Sequence, residues 1–101
     1  MAAGSGKRKL RVPLEVADLV RHMHPQLKSK VREALREIIN DASVGKALKE
    51  ELEGLRSYRV KRFRIIYRIG KRHIEIIAIG PRRLIYEETF RIISRKKKEN
   101  K

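Results

Sequence analysis

The sequence of 101 residues contains no cysteine, which excludes a disulfide framework and any zinc site built from thiolates. Aromatic residues make up only 5 % of the chain, so a core must be built mainly from isoleucine, leucine and valine. No apolar run approaches the ~20 residues of a membrane span, and the N-terminal segment MAAGSGKRKL lacks the apolar centre of a secretory signal. We therefore expect a cytoplasmic protein with no membrane partner.

Acidic residues are scarce relative to basic ones. The chain has 27 Lys and Arg against 12 Asp and Glu, a formal net charge of +15. A small domain with this charge repels itself, and the imbalance is typical of proteins that bind a polyanion. Nucleic acid is the first candidate, followed by an anionic membrane surface or an acidic protein. A thermophile-type surface rich in Lys and Glu would explain the charged fraction of 39 %, but not the excess of one sign.

The length suits one compact domain. We place this domain at residues 10–95, between a disordered basic leader at 1–9 and a disordered basic tail at 96–101. The segment KRKLRV predicts a short first strand, since basic side chains suit the edge of a sheet.

Two prolines mark the beginnings of two helices, because proline is favoured in the first helical turn. After Pro13, the apolar residues of PLEVADLVRHM recur at helical spacing. After Pro25, the apolar residues of PQLKSKVREALREIIND fall on one face. These patterns predict an antiparallel helical pair. A connector with one or two helical turns, ASVGKALKEELEGL, follows and ends near Gly54.

The next segment is rich in Ile, Val, Tyr and Phe, which favour strands. Its apolar positions change parity near Lys61 and Arg62, which indicates a tight turn or a bulge there. Gly70 begins a second turn. We therefore predict three consecutive antiparallel strands, near 55–60, 63–69 and 72–79.

The last of these strands ends in IEIIAIG, which is almost uniformly apolar, as in a strand covered on both faces. The segment YEETFRIISR predicts a final helix whose inner side carries Ile85, Thr89, Ile92 and Ile93. The expected fold is thus a small α+β domain in which an N-terminal helical pair packs on an antiparallel sheet.

Several segments in order resemble the RelE/ParE superfamily of toxins from type II toxin–antitoxin pairs. They are the helical pair, GKALKEELEGL, YRVKRFRIIYRI, IEIIAIGPRR and the tyrosine that follows, and together they cover residues 10–93. The resemblance implies a β–α–α–β–β–β–α fold of the microbial-ribonuclease type. In the RelE branch, which we favour, it also implies an endoribonuclease that cuts mRNA in the ribosomal A site with no metal or other cofactor.

In that branch the ribose 2′-OH attacks the adjacent phosphorus, basic residues stabilise the phosphorane, and a tyrosine or another polar group assists proton transfer. By position, the resemblance assigns roles here to Arg59, Arg64, Arg82 and Tyr86, and we add Lys61 of the turn as a catalytic candidate. Further RNA contacts are predicted at Arg62, Lys71, Arg72 and Arg83. Ser57 stands where some ribonuclease members have a lysine, and Lys61-Arg62 stands where many relatives have Gly-Asp.

These residue types suit the chemistry on physical grounds. A phosphorane carries negative charge on its oxygens, so cations fixed near it accelerate the reaction, and a guanidinium stays charged and presents a planar fork to phosphate. Arg82 and Tyr86 are four residues apart and share a face whether their segment is helical or extended. His22 and His24 are two residues apart and point to different sides of a helix, so we predict no metal site.

The expected partners are the ribosome with its mRNA, and a cognate antitoxin with an acidic, partly disordered segment. The toxin and antitoxin would form a heterodimer or heterotetramer. Two other functions stay open: a ParE-like inhibitor that binds DNA gyrase and cuts nothing, and a catalytically dead module that binds RNA or antitoxin. The choice between Arg82 and Arg83 as the residue facing the site also stays open, although the family register favours Arg82.

Overall fold

A computed structural model describes residues 8–99 of the chain, with side chains up to residue 95. Within this part, five strands and three helices follow one another as β1 (Lys9–Arg11), α1 (Leu14–Arg21), α2 (Pro25–Asn40), β2 (Lys46–Ala47), β3 (Arg56–Val60), β4 (Phe63–Ile69), β5 (His73–Pro81) and α3 (Arg82–Glu99). The connector between α2 and β3 also contains two 3-10 turns, Ala42–Val44 and Glu50–Leu52. The predicted helical pair, the three central strands and the final helix are all present.

The sheet has the strand order β1-β5-β4-β3-β2. The strands from β2 to β5 pair antiparallel with their neighbours, as predicted for β3, β4 and β5. At the other edge β1 pairs parallel with β5, where Leu10 lies opposite Ile74. The sheet is therefore mixed rather than wholly antiparallel, because the long connection between β1 and β5 lets the chain return in the same direction. The short strand β2 was not predicted, since two residues give no alternating pattern.

The sheet is covered on both faces. Helices α1 and α2 pack on one face, where Val31 and Ile38 meet Ile65, Tyr67 and Ile76 and all five are 0 % exposed. Helix α3 packs on the other face of the sheet, against a second apolar cluster of Leu55, Ile66, Ile77, Ala78 and Ile85. We call this side of the sheet the α3 face. Strand β5 contributes to both clusters, as its uniformly apolar sequence predicted.

Two elements extend past the predicted domain at residues 10–95, whose bounds stay a prediction. Helix α3 begins four residues before the predicted start at Tyr86 and continues to Glu99, because Lys, Arg and Glu are good helix formers. The predicted tail at 96–101 is therefore helical up to Glu99. Lys9, at the end of the predicted leader, lies in β1, and the rest of the leader lies mostly outside the described residues. Over residues 8–99, every helix is too short or too polar to span a bilayer.

A buried tyrosine fixes the connector between α2 and β3. The Tyr67 hydroxyl donates to the carbonyl oxygen of Ala42 at 2.5 Å and accepts from the Gly45 N–H at 2.9 Å. The Arg56 guanidinium donates to the carbonyl oxygens of Gly45 at 2.9 Å and Ser43 at 3.2 Å. Burial raises the pKa of the Tyr67 hydroxyl, although the Gly45 N–H and Arg56 act in the opposite direction. The hydroxyl therefore stays protonated at neutral pH and can donate.

A buried hydroxyl under α3 leads to a stability prediction. Thr89 is 0 % exposed, and its Oγ1 has no hydrogen-bond partner among the described residues. An unpaired buried polar group is unfavourable, so Thr89→Val should raise the free energy of unfolding by about 1 kcal/mol. Urea denaturation should show a higher midpoint with an unchanged m-value. Thr89→Ser, which keeps the hydroxyl and loses the methyl group, should lower the midpoint. A less stable Thr89→Val variant would show that the hydroxyl has a partner.

Candidate active site

The β3–β4 hairpin places two arginines side by side. Its turn is only two residues long, Lys61 and Arg62, and its register pairs Arg59 directly with Arg64. Residues opposite one another in an antiparallel pair point to the same face. This is the α3 face, because Ile66, two residues from Arg64, belongs to the apolar cluster under α3. The turn thus brings together residues that lie on opposite parities in the sequence.

The two arginines have no carboxylate to balance their charge. Among residues 8–95, whose side chains the structure describes, neither Arg59 nor Arg64 forms an ion pair. The Arg59 Nε donates to the Lys61 carbonyl oxygen at 3.3 Å, and Arg64 is half-buried. Like charges at directly opposite positions destabilise a sheet. A bound anion would remove this repulsion, so the pair favours a phosphate-like ligand.

The N-terminus of α3 adds positive charge at the same end of the sheet. The Arg82 N–H donates to the carbonyl oxygen of Arg62 at 3.0 Å, which ties the first residue of the helix to the hairpin turn. Arg82 and Arg83 therefore lie beside Lys61 and Arg62. The positive end of the helix dipole points to this region as well. Six of the eight predicted site cations are thus grouped at one end of the sheet.

The helical register distinguishes Arg82 from Arg83. The inner stripe of α3 contains Ile85 and Thr89, which are buried, and Tyr86, which is half-buried. Arg82 precedes these residues by three, seven and four positions and so lies in line with the stripe. Arg83 is displaced by about 100° around the helix. Both side chains are exposed, but Arg82 shares its face with Tyr86, as its spacing predicted.

A pair of hydroxyl groups lies next to the arginines. The Tyr86 Oη is 3.3 Å from the Oγ of Ser57, and Ser57 is only 4 % exposed. Ser57 precedes Arg59 by two residues on β3, a distance of about 7 Å on the same face. Ser57 was not among the predicted site residues, although its parity with Arg59 was a usable signal. It holds the Tyr86 hydroxyl over the strand that carries Arg59.

Two predicted RNA contacts lie elsewhere. Lys71 and Arg72 are in the turn between β4 and β5, at the opposite end of β4 from the hairpin turn. Seven residues of β4 separate the two turns by about 20 Å. There the Arg8 Nε donates to the Gly70 carbonyl oxygen at 2.6 Å, and the Lys9 N–H donates to the Arg72 carbonyl oxygen at 3.0 Å. Lys71 and Arg72 cannot contact the same phosphate as Arg64, so their contact with RNA stays a prediction for a second region.

The two histidines of RHMH have local roles. The Nδ1 of His24 accepts from the Gln26 N–H at 3.3 Å and caps α2, while the Nδ1 of His22 is 2.9 Å from the Asp18 carbonyl oxygen. In the part of the chain with described side chains, residues 8–95, no group of three or more His, Cys, Asp or Glu could hold a metal ion.

Comparison with known families identifies the chain. A family model described as "ParE toxin of type II toxin-antitoxin system, parDE" matches residues 9–86, which run from β1 to Tyr86. The chain belongs to this toxin family. The match also confirms the predicted membership of the RelE/ParE superfamily. No curated protein sequence matches the toxin.

The fold of the toxin is similar to those of several solved toxins. The RelBE2 toxin–antitoxin complex of Mycobacterium tuberculosis contains a chain with 25 % identity and a TM-score of 0.66, over 75 % of this chain and 99 % of that one. A free mutant of Escherichia coli toxin RelE has 12 % identity and a TM-score of 0.70, over 89 % and 97 % of the two chains. The YoeB–YefM complex of Staphylococcus aureus contains a chain with 18 % identity and a TM-score of 0.63, over 72 % and 94 %.

Proposed function

We propose that this toxin is a metal-independent endoribonuclease that cuts mRNA on the ribosome and so inhibits translation. The observation that carries the proposal is the Arg59–Arg64 pair, two adjacent cations without a carboxylate partner in the described residues. Such a pair weakens the sheet by repulsion and suits the charge that develops on a phosphorane. The Ser57–Tyr86 hydroxyl pair beside it supplies a polar group at the same face.

In the proposed reaction, the ribose 2′-oxygen forms a bond to the adjacent phosphorus and gives up its proton, and the bond from phosphorus to the 5′-oxygen breaks. The departing 5′-oxygen takes up a proton, so the products are a cyclic phosphate and a 5′-OH. Arg64 and Arg82 stabilise the non-bridging oxygens of the phosphorane. Tyr86, positioned by Ser57, takes part in proton transfer to or from the reacting oxygens. Lys61 and Arg59 neutralise the phosphate before and during attack.

The test is 5′-end mapping of an mRNA on programmed ribosomes with purified protein. Wild-type toxin should leave new 5′ ends at A-site codons, and Arg82→Ala should lower the cleavage rate by about 100-fold or more. Arg83→Ala is the matched control, because it removes the same charge from the adjacent position, off the inner stripe of α3. Because Arg83 is a predicted RNA contact and not a residue of the stripe, the cleavage rate of Arg83→Ala at saturating toxin should stay within about threefold of wild type. Intact mRNA in every reaction with folded protein and compatible ribosomes would refute the nuclease.

A second candidate function is inhibition of DNA gyrase without nuclease activity, which the match to a ParE toxin family favours. The two functions differ in their targets. A gyrase poison should produce cleaved DNA in a gyrase reaction and leave an isolated translation reaction unaffected. The proposed nuclease should leave DNA intact in the gyrase reaction and should inhibit the isolated translation reaction.

We also propose a cognate antitoxin as the partner that silences the toxin. The similar chains from Mycobacterium tuberculosis and Staphylococcus aureus are each in a toxin–antitoxin complex. The net charge of +15 suits an acidic, partly disordered antitoxin segment that orders on binding in a heterodimer or heterotetramer.

A further inference from the structure

A cavity of about 640 Å³ lies between α2 and the last residues of β3. We call it the α2 cavity. Strand β2 pairs only with Arg56 and Ser57, so the outer edge of β3 beyond Ser57 has no strand partner in the part of the chain that the structure describes. The cavity follows this free edge to the hairpin turn, where Arg59 and Lys61 line it.

The lining of the α2 cavity combines an apolar floor with a cationic rim. Ala34 and Val60, which are 5 % and 6 % exposed, and the half-buried Tyr58 form the apolar part. The charged residues around it are four cations and two carboxylates: Lys30, Arg36, Arg59, Lys61, Glu33 and Glu37. The cavity therefore carries excess positive charge over a surface that contains an aromatic residue.

This combination matches the chemistry of a nucleotide. Unstacked bases bind to aromatic and apolar surfaces, amide groups pair with base edges, and cations bind the phosphates. The amide of Asn40, at the end of α2, also lines the cavity. An acidic peptide could bind the same cations, whereas stacking on Tyr58 and pairing to the Asn40 amide are contacts that a base makes. The observations thus favour RNA over an acidic peptide as the occupant.

The α2 cavity and the candidate active site meet at the hairpin turn, because both include Arg59 and Lys61. Arg59 and Lys61 line the cavity, while the Arg59 side chain lies opposite Arg64 on the α3 face. A single RNA strand that bends around the free edge of β3 at Arg59 would run from Arg64 on the α3 face to Tyr58, whose side chain packs on the opposite face of the sheet. We propose that the α2 cavity binds a nucleotide that flanks the scissile phosphate in single-stranded RNA. The inference rests on the proposed nuclease function.

The test measures binding of a fluorescein-labelled single-stranded RNA pentamer to the whole purified toxin by fluorescence anisotropy. The test variant is Lys30→Ala/Arg36→Ala, which removes two lining cations. The matched control is Lys28→Ala/Arg32→Ala, which removes the same charge from positions of α2 that do not line the cavity. The test variant should bind about tenfold more weakly than the control. Its slope of log K against log salt should also fall by about 1.4, since each single-strand phosphate contact contributes about 0.7.

A third variant, Tyr58→Leu, tests the base rather than the phosphate. It keeps an apolar side chain and removes the aromatic ring, so pentamer affinity should fall about tenfold with an unchanged salt slope. On programmed ribosomes it should also change the base preference beside the cut. Circular dichroism must show a folded variant, and Tyr58→Phe should restore binding.

The outcomes separate this inference from the proposed function. Pentamer binding that depends on the cavity cations, without mRNA cleavage, would support the cavity and refute the nuclease. Cleavage with equal pentamer binding in both double variants would refute the cavity. Absence of measurable pentamer binding to wild-type toxin would also refute it. If polyglutamate peptide bound the test variant about tenfold more weakly than the control, as the RNA does, charge alone would explain the binding and the nucleotide assignment would be overturned.

Discussion

Arg64→Ala is expected to lower the rate of mRNA cleavage by about 10²- to 10³-fold without lowering the stability of the fold. Arg64 is half-buried on the α3 face and lies directly opposite Arg59. Removing a positioned donor to a developing oxyanion has an effect of this size in other active sites. The same substitution also removes the repulsion between two like charges, which should stabilise the hairpin by about 0.2–1 kcal/mol.

This opposite change in activity and stability distinguishes a site residue from a structural one. Replacing an arginine that has only a structural role would lower both the stability of the fold and the rate of cleavage. The expected stabilisation should decrease at high salt, because screening already weakens the repulsion in wild type. Single-turnover cleavage and urea denaturation, measured in the same buffer, give both quantities.

Arg68→Ala is the matched control on the same strand. Arg68 lies on the same face as Arg64, at the far end of β4, and forms an ion pair with Glu75 at 2.5 Å. Its side chain is 51 % exposed, so its loss should cost only about 0.2–1 kcal/mol. Cleavage should stay within about threefold of wild type. If Arg68→Ala lost as much activity as Arg64→Ala, total charge rather than the hairpin pair would control the reaction.

Gly45→Ala is expected to lower the free energy of unfolding by about 3 kcal/mol, from overpacking and weakened hydrogen bonds. Gly45 has an ordinary φ of −76°, so the backbone would accept alanine. The obstacle is Tyr67, since a Cβ at residue 45 would lie 2.8 Å from its Cε1 and 2.9 Å from its Cζ. For a domain of this size the melting temperature should fall by about 12 °C or more.

A double-mutant cycle with Tyr67→Phe tests the cause. Tyr67→Phe already removes the hydroxyl and its hydrogen bonds to Ala42 and Gly45. Adding Gly45→Ala to this variant should therefore cost less than in wild type, with a coupling energy of about 1 kcal/mol or more. Calorimetric or urea unfolding of the four proteins gives this value.

Gly54→Ala provides the control cycle. Gly54 has a φ of +95°, and a Cβ there would meet nothing within 4 Å. The loss of stability in Gly54→Ala comes from the backbone alone. The free-energy changes of Gly54→Ala and Tyr67→Phe should therefore be additive within about 0.5 kcal/mol. Additivity in the Gly45 cycle as well would show that Tyr67 does not hold the connector in place.

The hairpin turn shows which features of the fold can be predicted from local sequence and which cannot. The parity change in the sequence located a turn or bulge at Lys61 and Arg62, and the structure has a two-residue turn there. Lys61 adopts a φ of +55°, a left-handed conformation that glycine adopts at lower cost. Propensity alone would not place a lysine there. The pairing of β3 with β4 over five residue pairs outweighs the local preference.

Periodicity and proline positions were enough to predict the helices, the central strands and the shared face of Arg82 and Tyr86, because these signals act within one segment. The superfamily was predicted from the resemblance of several motifs in order. Only the tertiary structure placed Arg59 beside Arg64, Ser57 under Tyr86, and Lys71 and Arg72 at the far end of the sheet. It also set β1 parallel to β5. These contacts depend on the number of residues in a turn and on how α3 crosses the sheet. Such long-range geometry is fixed by packing of the two apolar faces, which no single segment encodes.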